Sequence, residues 1–394
     1  MDSTQYRTTV FEGYSGRLLI ALSLGWLAIQ IGRNALPPLL PAMLAEFSIS
    51  PFAGGVGLTL MWAFYALCHY PGGRLSDTNS RKPILILGLV ILVGGFLLLS
   101  VARGYLSFLT ALSLVGIGSG LYFIAMRANL ADLFADHRGQ AFGVQSAAGN
   151  FGSVSAGGLA AVILSLAVWE LTLVPVVLLS CVALFAVHRW STESYSLLET
   201  ELALTSTFRR VFEAEETRVL LLVYSLFVFA WQGMAGFLPT YLQVSKSLTP
   251  AKASLAYAGV FAVGVVVMPL SGAVSDRLNR LWVAAGALFV CCLGFTSLLL
   301  VHSETLIYSA LGLFAAGMMS YPPVMQAYLT DSFESKSVGG DFGAFKTVYS
   351  GVGSLGPAYV GLVASYFTYT AAYVGLACCL LGGVFLLTWL AAHG

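Results

Sequence analysis

Arg33 is the residue of this sequence best placed to do chemistry. It lies within an apolar run, 17–44, sixteen residues after Arg17 and thirteen before Glu46. At ~1.5 Å of rise per helical residue it stands ~24 Å from Arg17. A charge at such a depth costs at least ~2.5–3.5 kcal/mol, so an intramembrane ion marks a candidate site. Pro37 removes the amide that would bond the Arg33 carbonyl, and Pro38 does the same for Asn34. The cation therefore sits beside freed backbone acceptors, and its planar fork of donors suits a carboxylate. The competing reading pairs Arg33 with Glu46 or lets it snorkel outward.

Two more cations fall inside apolar runs. Arg127 is six residues from the end of run 105–133, where it can serve as a second cation, snorkel, or pair with Asp132 or Asp136. Lys346 lies about a turn into run 341–365 and is a further candidate. His69 could titrate near neutrality or simply pack. No Asp or Glu falls at mid-depth of any run, so coupling through a buried carboxylate is not predicted, whereas exchange or uniport needs none. Polar and aromatic companions are Gln30, Asn34, Tyr65, Tyr122, Trp231, Gln232, Tyr241, Gln326 and Tyr349. Trp and Tyr also serve as interface anchors. Tyr321, Pro322 and Pro323 predict a kink that lines a cavity.

These residues need a membrane to give them meaning, and the composition supplies it. Of 394 residues 58% are hydrophobic and 9% charged, against roughly 25% charged in a soluble globule; mean hydropathy is +0.85. A soluble enzyme, a secreted module and a disordered chain are excluded. The net charge of +1 offers no basic footprint for nucleic acid. The six cysteines sit in apolar runs without metal-ligand spacing or a disulfide framework. No removable leader is read in the polar residues 1–16.

The runs predict an all-α membrane protein of twelve transmembrane helices: 17–44, 52–75, 81–102, 105–133, 139–165, 168–188, 217–243, 251–275, 281–301, 304–332, 341–365 and 370–392. With the N-terminus cytoplasmic, thirteen Lys and Arg lie on that side and three on the other. This asymmetry places both termini in the cytoplasm, with the cell membrane as the location. The chain divides into an N-terminal six-helix bundle (1–188), a cytoplasmic linker (189–216) and a C-terminal six-helix bundle (217–394).

The halves repeat. Gly73, Asp77, Arg81 and Asp132 recur as Gly272, Asp276, Arg280 and Asp331, each 199 residues later. Two matched halves are what a machine that rocks one bundle against the other requires. The pattern Gly-x-x-x-Asp-x-x-x-Arg after span two, echoed after span eight, resembles the signature of the major facilitator superfamily, and the likeness covers the whole chain. Thr78 and Ser80 depart from the fuller motif in the first copy, Asn279 in the second.

The resemblance implies alternating access, with Gly73, Asp77, Arg81, Gly272, Asp276 and Arg280 as a cytoplasmic gate and helix eleven, around Asp341 to Lys346, as the partner of the first copy. Glycine stretches in spans five and eleven resemble a degenerate antiporter motif, with Ser153 where a Pro is expected; Leu112 replaces the Arg that helix four of such members carries. Arg33 followed by Pro41 is similar to helix one of organic-anion members. Members that take organophosphate carry a second Arg in helix seven; Trp231 stands at that place, followed by Gln232.

Together these readings predict a secondary transporter for a small organic anion, a carboxylate. Substrate binding is assigned to Arg33, Gln30, Asn34, Tyr122, Trp231, Gln232 and Tyr349, with Arg127 and Lys346 as second cations. Efflux of hydrophobic compounds is the alternative, a membrane receptor or enzyme the remote one. The phosphate-binding loop of a nucleotide-driven pump is absent. No cofactor or metal is expected, and the partners are a small-molecule substrate and the lipid bilayer, with the chain a monomer.

Overall fold

Two helices begin at side-chain caps that repeat between the halves. The Ser50 hydroxyl accepts the Ala53 amide at 3.2 Å with Pro51 following. Thr249, 199 residues on, accepts the Lys252 amide at 3.4 Å with Pro250 following. A side-chain oxygen satisfies an amide the helix leaves open, and proline fits the first turn because its missing N–H was never needed.

The computed structural model describes residues 10–69, 71–72, 80–165, 168–195, 212, 215–332 and 338–393. Its helices are α1 (Gly13–Glu46), α2 (Pro51–Leu67), α3 (Arg81–Ser100), α4 (Tyr105–Leu133), α5 (Arg138–Ser165), α6 (Leu173–Trp190), α7 (Glu215–Val244), α8 (Pro250–Ser275), α9 (Arg280–Leu300), α10 (Glu304–Ser332), α11 (Val338–Gly353), α12 (Gly356–Tyr366) and α13 (Tyr369–His393). A 3₁₀ turn, Trp169–Thr172, precedes α6. Nine of the described helices are long and apolar enough to cross a membrane. Large side chains such as Leu106, Phe185, Val266 and Phe385 face outward. Apolar surface of that kind is what a bilayer covers.

The eleventh span departs from the single helix expected. It breaks at Ser354 and Leu355 into α11 and α12, and Pro357 in the first turn of α12 has no amide to continue the ladder. The prolines within α1 and α10 interrupt nothing: α1 is continuous through Pro37, Pro38 and Pro41, and α10 through Pro322 and Pro323. Most of the linker, together with Gly73 and Asp77, lies outside the described residues.

Packing follows the repeat. α3 packs on α4 as α9 does on α10, α2 on α4 as α8 on α10, α1 on α6 as α7 on α13, and α3 on α6 as α9 on α13. α1 packs on α5, and α7 on α11 and α12. The two groups meet mainly through α5 with α8 and α2 with α12. One end of the bundle carries Arg17, Arg81, Arg138 and Arg280 at helix starts, and is called the basic end below. The groups touch most closely toward the opposite end. A methyl added at Gly55 would collide with the Pro357 carbonyl, and one at Gly361 with that of Pro51. Glycine is required there because two backbones meet without room for a side chain.

Candidate functional site

α1 carries three polar side chains, Gln30, Arg33 and Asn34, within one turn, and α5 holds two of them in place. Gln30 Nε2 donates to Ser153 Oγ at 3.3 Å, and Asn34 Nδ2 to the same oxygen at 3.1 Å. Asn34 also reaches the Gln30 carbonyl at 2.9 Å. The orientated Gln30 Oε1 accepts Arg33 Nη2 at 2.7 Å. Ser153, the departure from the antiporter-like motif, thus anchors the polar cluster. Across the interface Tyr257 OH donates to Asn34 Oδ1 at 3.4 Å.

Arg33 is 6% exposed. Its guanidinium carbon lies 4.7 Å from the Trp62 ring centre, 4.6 Å from Tyr65 and 5.6 Å from Trp26. Aromatic faces stabilise a buried cation without neutralising it. Nε and Nη1 have no hydrogen-bond partner among the described residues, and an unpaired buried donor is expensive. The proposed alternative partner, Glu46, is engaged elsewhere, by Trp169 Nε1. Arg33 lines a cavity of about 190 Å³ between the halves, whose opposite wall is Trp231, Ala235, Gly236, Tyr257 and Phe261.

A second cavity, about 140 Å³, is lined by Phe123, Arg127, Tyr224, Pro322, Gln326, Leu329, Lys346 and Tyr349. Arg127 stacks 5.4 Å from Phe123 and 5.0 Å from Phe142. Lys346 Nζ stands 4.3 Å from the Phe123 ring centre. Neither forms an ion pair among the described residues. Asp132, one of the acids considered for Arg127, instead pairs with Arg81. His69 is buried beside them, its ring 4.4 Å from Tyr65 and 5.8 Å from Phe123, with both nitrogens unpartnered among the described residues.

Three expectations need correction. Tyr122 lines none of these cavities: it is wholly buried within the first half, and its hydroxyl donates to the Leu22 carbonyl at 2.8 Å. Tyr241 is likewise withdrawn, stacked on Tyr373 at 4.4 Å. Gln232 is buried next to Trp231 but faces away from both cavities, with Oε1 unpartnered among the described residues. Trp231, and not its neighbour Gln232, takes the lining position on α7. Trp62, Phe123, Tyr257 and Phe261 are lining residues that spacing did not single out, since apolar helices carry aromatics on every face.

Of the residues assigned to a cytoplasmic gate by resemblance, the described charged ones form local pairs. Arg81 meets Asp132 rather than helix eleven. Its amide and that of Lys82 donate to Glu193 Oε2 at 2.7 and 3.1 Å, as does Ser80 Oγ at 2.9 Å. Glu193 Oε1 accepts Asn129 Nδ2 at 3.0 Å. Arg280 reaches Asp276 at 3.9 Å. A Cβ at Gly272 would meet nothing within 4 Å among the described residues, so none of them demands glycine there in this conformation.

The arrangement can hold a guest between two helical groups, and similar proteins share that frame. A transporter of Mycobacterium tuberculosis, uncharacterized and of MFS type, is 31% identical over 134 residues, 34% of this chain. The match spans 32% of that relative's length. Among solved structures, a bacterial homolog of the human lysosomal transporter Spinster, inward-facing and occupied, aligns with a TM-score of 0.75 and 18% identity over 97% of this chain and 96% of that one. The human organic anion transporter MFSD10 (TETRAN) gives 0.69 and 16% over 94% and 99%. A POT family transporter in complex with 5-aminolevulinic acid gives 0.81 and 10% over 95% and 96%. These likenesses establish the fold. The family model of the Major Facilitator Superfamily matches residues 22–357 and 247–393, and the chain belongs to that superfamily of multi-pass membrane transporters.

Proposed function

We propose that the chain is a secondary transporter of a small organic anion bearing a carboxylate, working by alternating access across the cell membrane with both termini cytoplasmic. The observation that carries this reading is charge without compensation. Arg33, Arg127 and Lys346 line cavities between the halves, and none has a carboxylate partner among the described residues. Buried cations left unpaired are costly, and an anionic guest supplies both the missing charge and acceptors for Arg33 Nε and Nη1. A hydrophobic cation, the cargo of many efflux systems, would be repelled by the same groups.

In this reading residues 1–188 and 217–394 rock as two bundles joined by the linker 189–216, and the basic end faces the cytoplasm by the excess of Lys and Arg there. Gln30, Asn34, Trp231 and Tyr349 shape the site around the cations. The test is binding and uptake on purified protein. Organic carboxylates should raise the melting temperature of the wild type by mass action and drive counterflow in proteoliposomes; both effects should vanish in Arg33→Gln. Stabilisation by lipophilic cations alone, with carboxylates inert, would overturn the reading.

A further inference from the structure

A cavity larger than the one around Arg33 lies beside it. It measures about 870 Å³ and runs between α5 and α8. Its walls are largely carbon, with Ala147, Phe151 and Val154 on α5 facing Ala262, Val266 and Met268 on α8. Phe151 is 66% and Val266 62% exposed, so the cavity opens through the side of the bundle, along helices whose outer surface is apolar. At one end α5 and α8 touch, Gly157 lying against Ser254 and Ala258. From there toward the basic end they part.

The groove leads inward to charge. Trp26, Gln30, Phe123 and Arg127 close its inner end. Gln30 also lines the Arg33 cavity, while Phe123 and Arg127 also line the Lys346 cavity. The three spaces therefore share walls at the polar cluster, and among the described residues no Asp or Glu lines any of them. A small carboxylate has no use for a carbon-walled groove several times larger than the cavity that holds its charge. Water gains little there, because apolar walls offer it no hydrogen bonds. A hydrocarbon chain fits both the walls and the side opening.

Resting on the anion reading above, we infer that the cargo is a single-tailed anionic amphiphile. Its head meets Arg127 and Arg33, its tail lies between α5 and α8, and it enters sideways from the bilayer. The chemistry is an anionic head on one unbranched apolar tail, common to a lysophospholipid and to a free long-chain carboxylate.

The experiment uses the full chain in phosphatidylcholine nanodiscs. Binding of straight-chain carboxylates from butyrate to dodecanoate is measured for the wild type and for an Ala147→Trp/Ala262→Trp variant, whose indoles would fill the groove. Wild-type affinity should rise with length by up to about fourfold per methylene. Partition into the bilayer contributes to that rise in both proteins, so the variant is the control. Its rise should be distinctly shallower, while retained butyrate binding reports an intact fold and head site.

Dodecanoate carrying a terminal diazirine should label residues within 143–154 and 262–269. Equal length dependence in the two proteins, or labelling elsewhere, overturns the tail inference and leaves the anion reading standing. Failure of every carboxylate to bind the wild type overturns both. Protection from labelling by lysophosphatidylglycerol added before photolysis supports the inference with a lysophospholipid as the source; undiminished labelling in the groove supports it with the free long-chain carboxylate.

Discussion

The two halves repeat their frame and not the charges of their cavities. The contact of Gly55 with Pro357 has its counterpart, 199 residues displaced in opposite directions, in that of Ser254 with Gly157 and its neighbour. The caps Ser50–Pro51 and Thr249–Pro250 match in the same way. The cations do not. Arg33, eight residues before Pro41, is answered by Trp231, eight before Pro239; Arg127 is answered by Gln326, and Lys346 by Ala147. Trp231 and Gln326 line the same cavities as the cations they answer, and Ala147 lines the groove. A pseudo-symmetric frame lets two bundles close symmetrically. Asymmetry in what fills it gives the guest one orientation, with charge on one wall and aromatic or aliphatic surface on the other.

Removing the asymmetric charge should have the largest effect. Arg33→Gln keeps a side chain of similar reach but deletes two unpaired donors and the cation, and should weaken carboxylate binding on the order of a hundredfold. Titration calorimetry would measure it. Trp231→Arg sharpens the comparison, since it gives the second half the charge it lacks. It should shift preference from monocarboxylates toward doubly charged or phosphate-bearing anions. An unchanged preference would mean that the aromatic wall does not face the guest.

Breaking the symmetric frame comes next. Leucine at Gly55 cannot avoid the Pro357 backbone, so Gly55→Leu should disfavour closure of the end opposite the basic one. A closure equilibrium moved by about 1.4 kcal/mol changes the open population tenfold when it is small. Cysteine labelling at that end should speed up by about that factor, and uptake should fall. Lys346→Gln acts on charge again but leaves Arg33 and Arg127 in place, and should cost about tenfold in affinity.

The sequence was most legible where physics acts through spacing. Apolar runs gave the spans within a few residues, apart from span two, whose continuous helix ends at Leu67 instead of 75, and the break at Ser354 and Leu355, because ~20 apolar residues is what a bilayer demands. Arg33 stood out because charge is rare in such runs. What spacing could not supply was the face a residue turns inward. Tyr122 and Trp231 looked alike as aromatics near polar neighbours, and only packing separates the buried from the cavity-lining. The groove between α5 and α8 was invisible, since it is a space between helices built of residues that individually read as lipid-facing. Ser153 was noticed as a departure from a motif, yet its bonds to Gln30 and Asn34 depend on how α1 meets α5.

The smallest expected effect separates the halves at a matched pair of helix starts. α9 is capped locally: Asn279 Oδ1 accepts the amides of Leu281 and Trp282 at 2.9 and 3.3 Å. At the equivalent start of α3 the carboxylate comes from Glu193, beyond the end of α6, and also holds Asn129 of α4. Both devices place an acceptor on open amides at the positive end of a helix. Asn279→Ala and Glu193→Ala should therefore each cost about 1 kcal/mol. Their reach should differ. Asn279→Ala should raise hydrogen exchange only at the first turn of α9, whereas Glu193→Ala should raise it at residues 80–82 and also around Asn129, because one carboxylate ties three segments. Equal and purely local changes in the two variants would show that Glu193 is a cap and nothing more; a spread to α4 would mark the first half as the one whose gate region is braced by the chain leading into the linker.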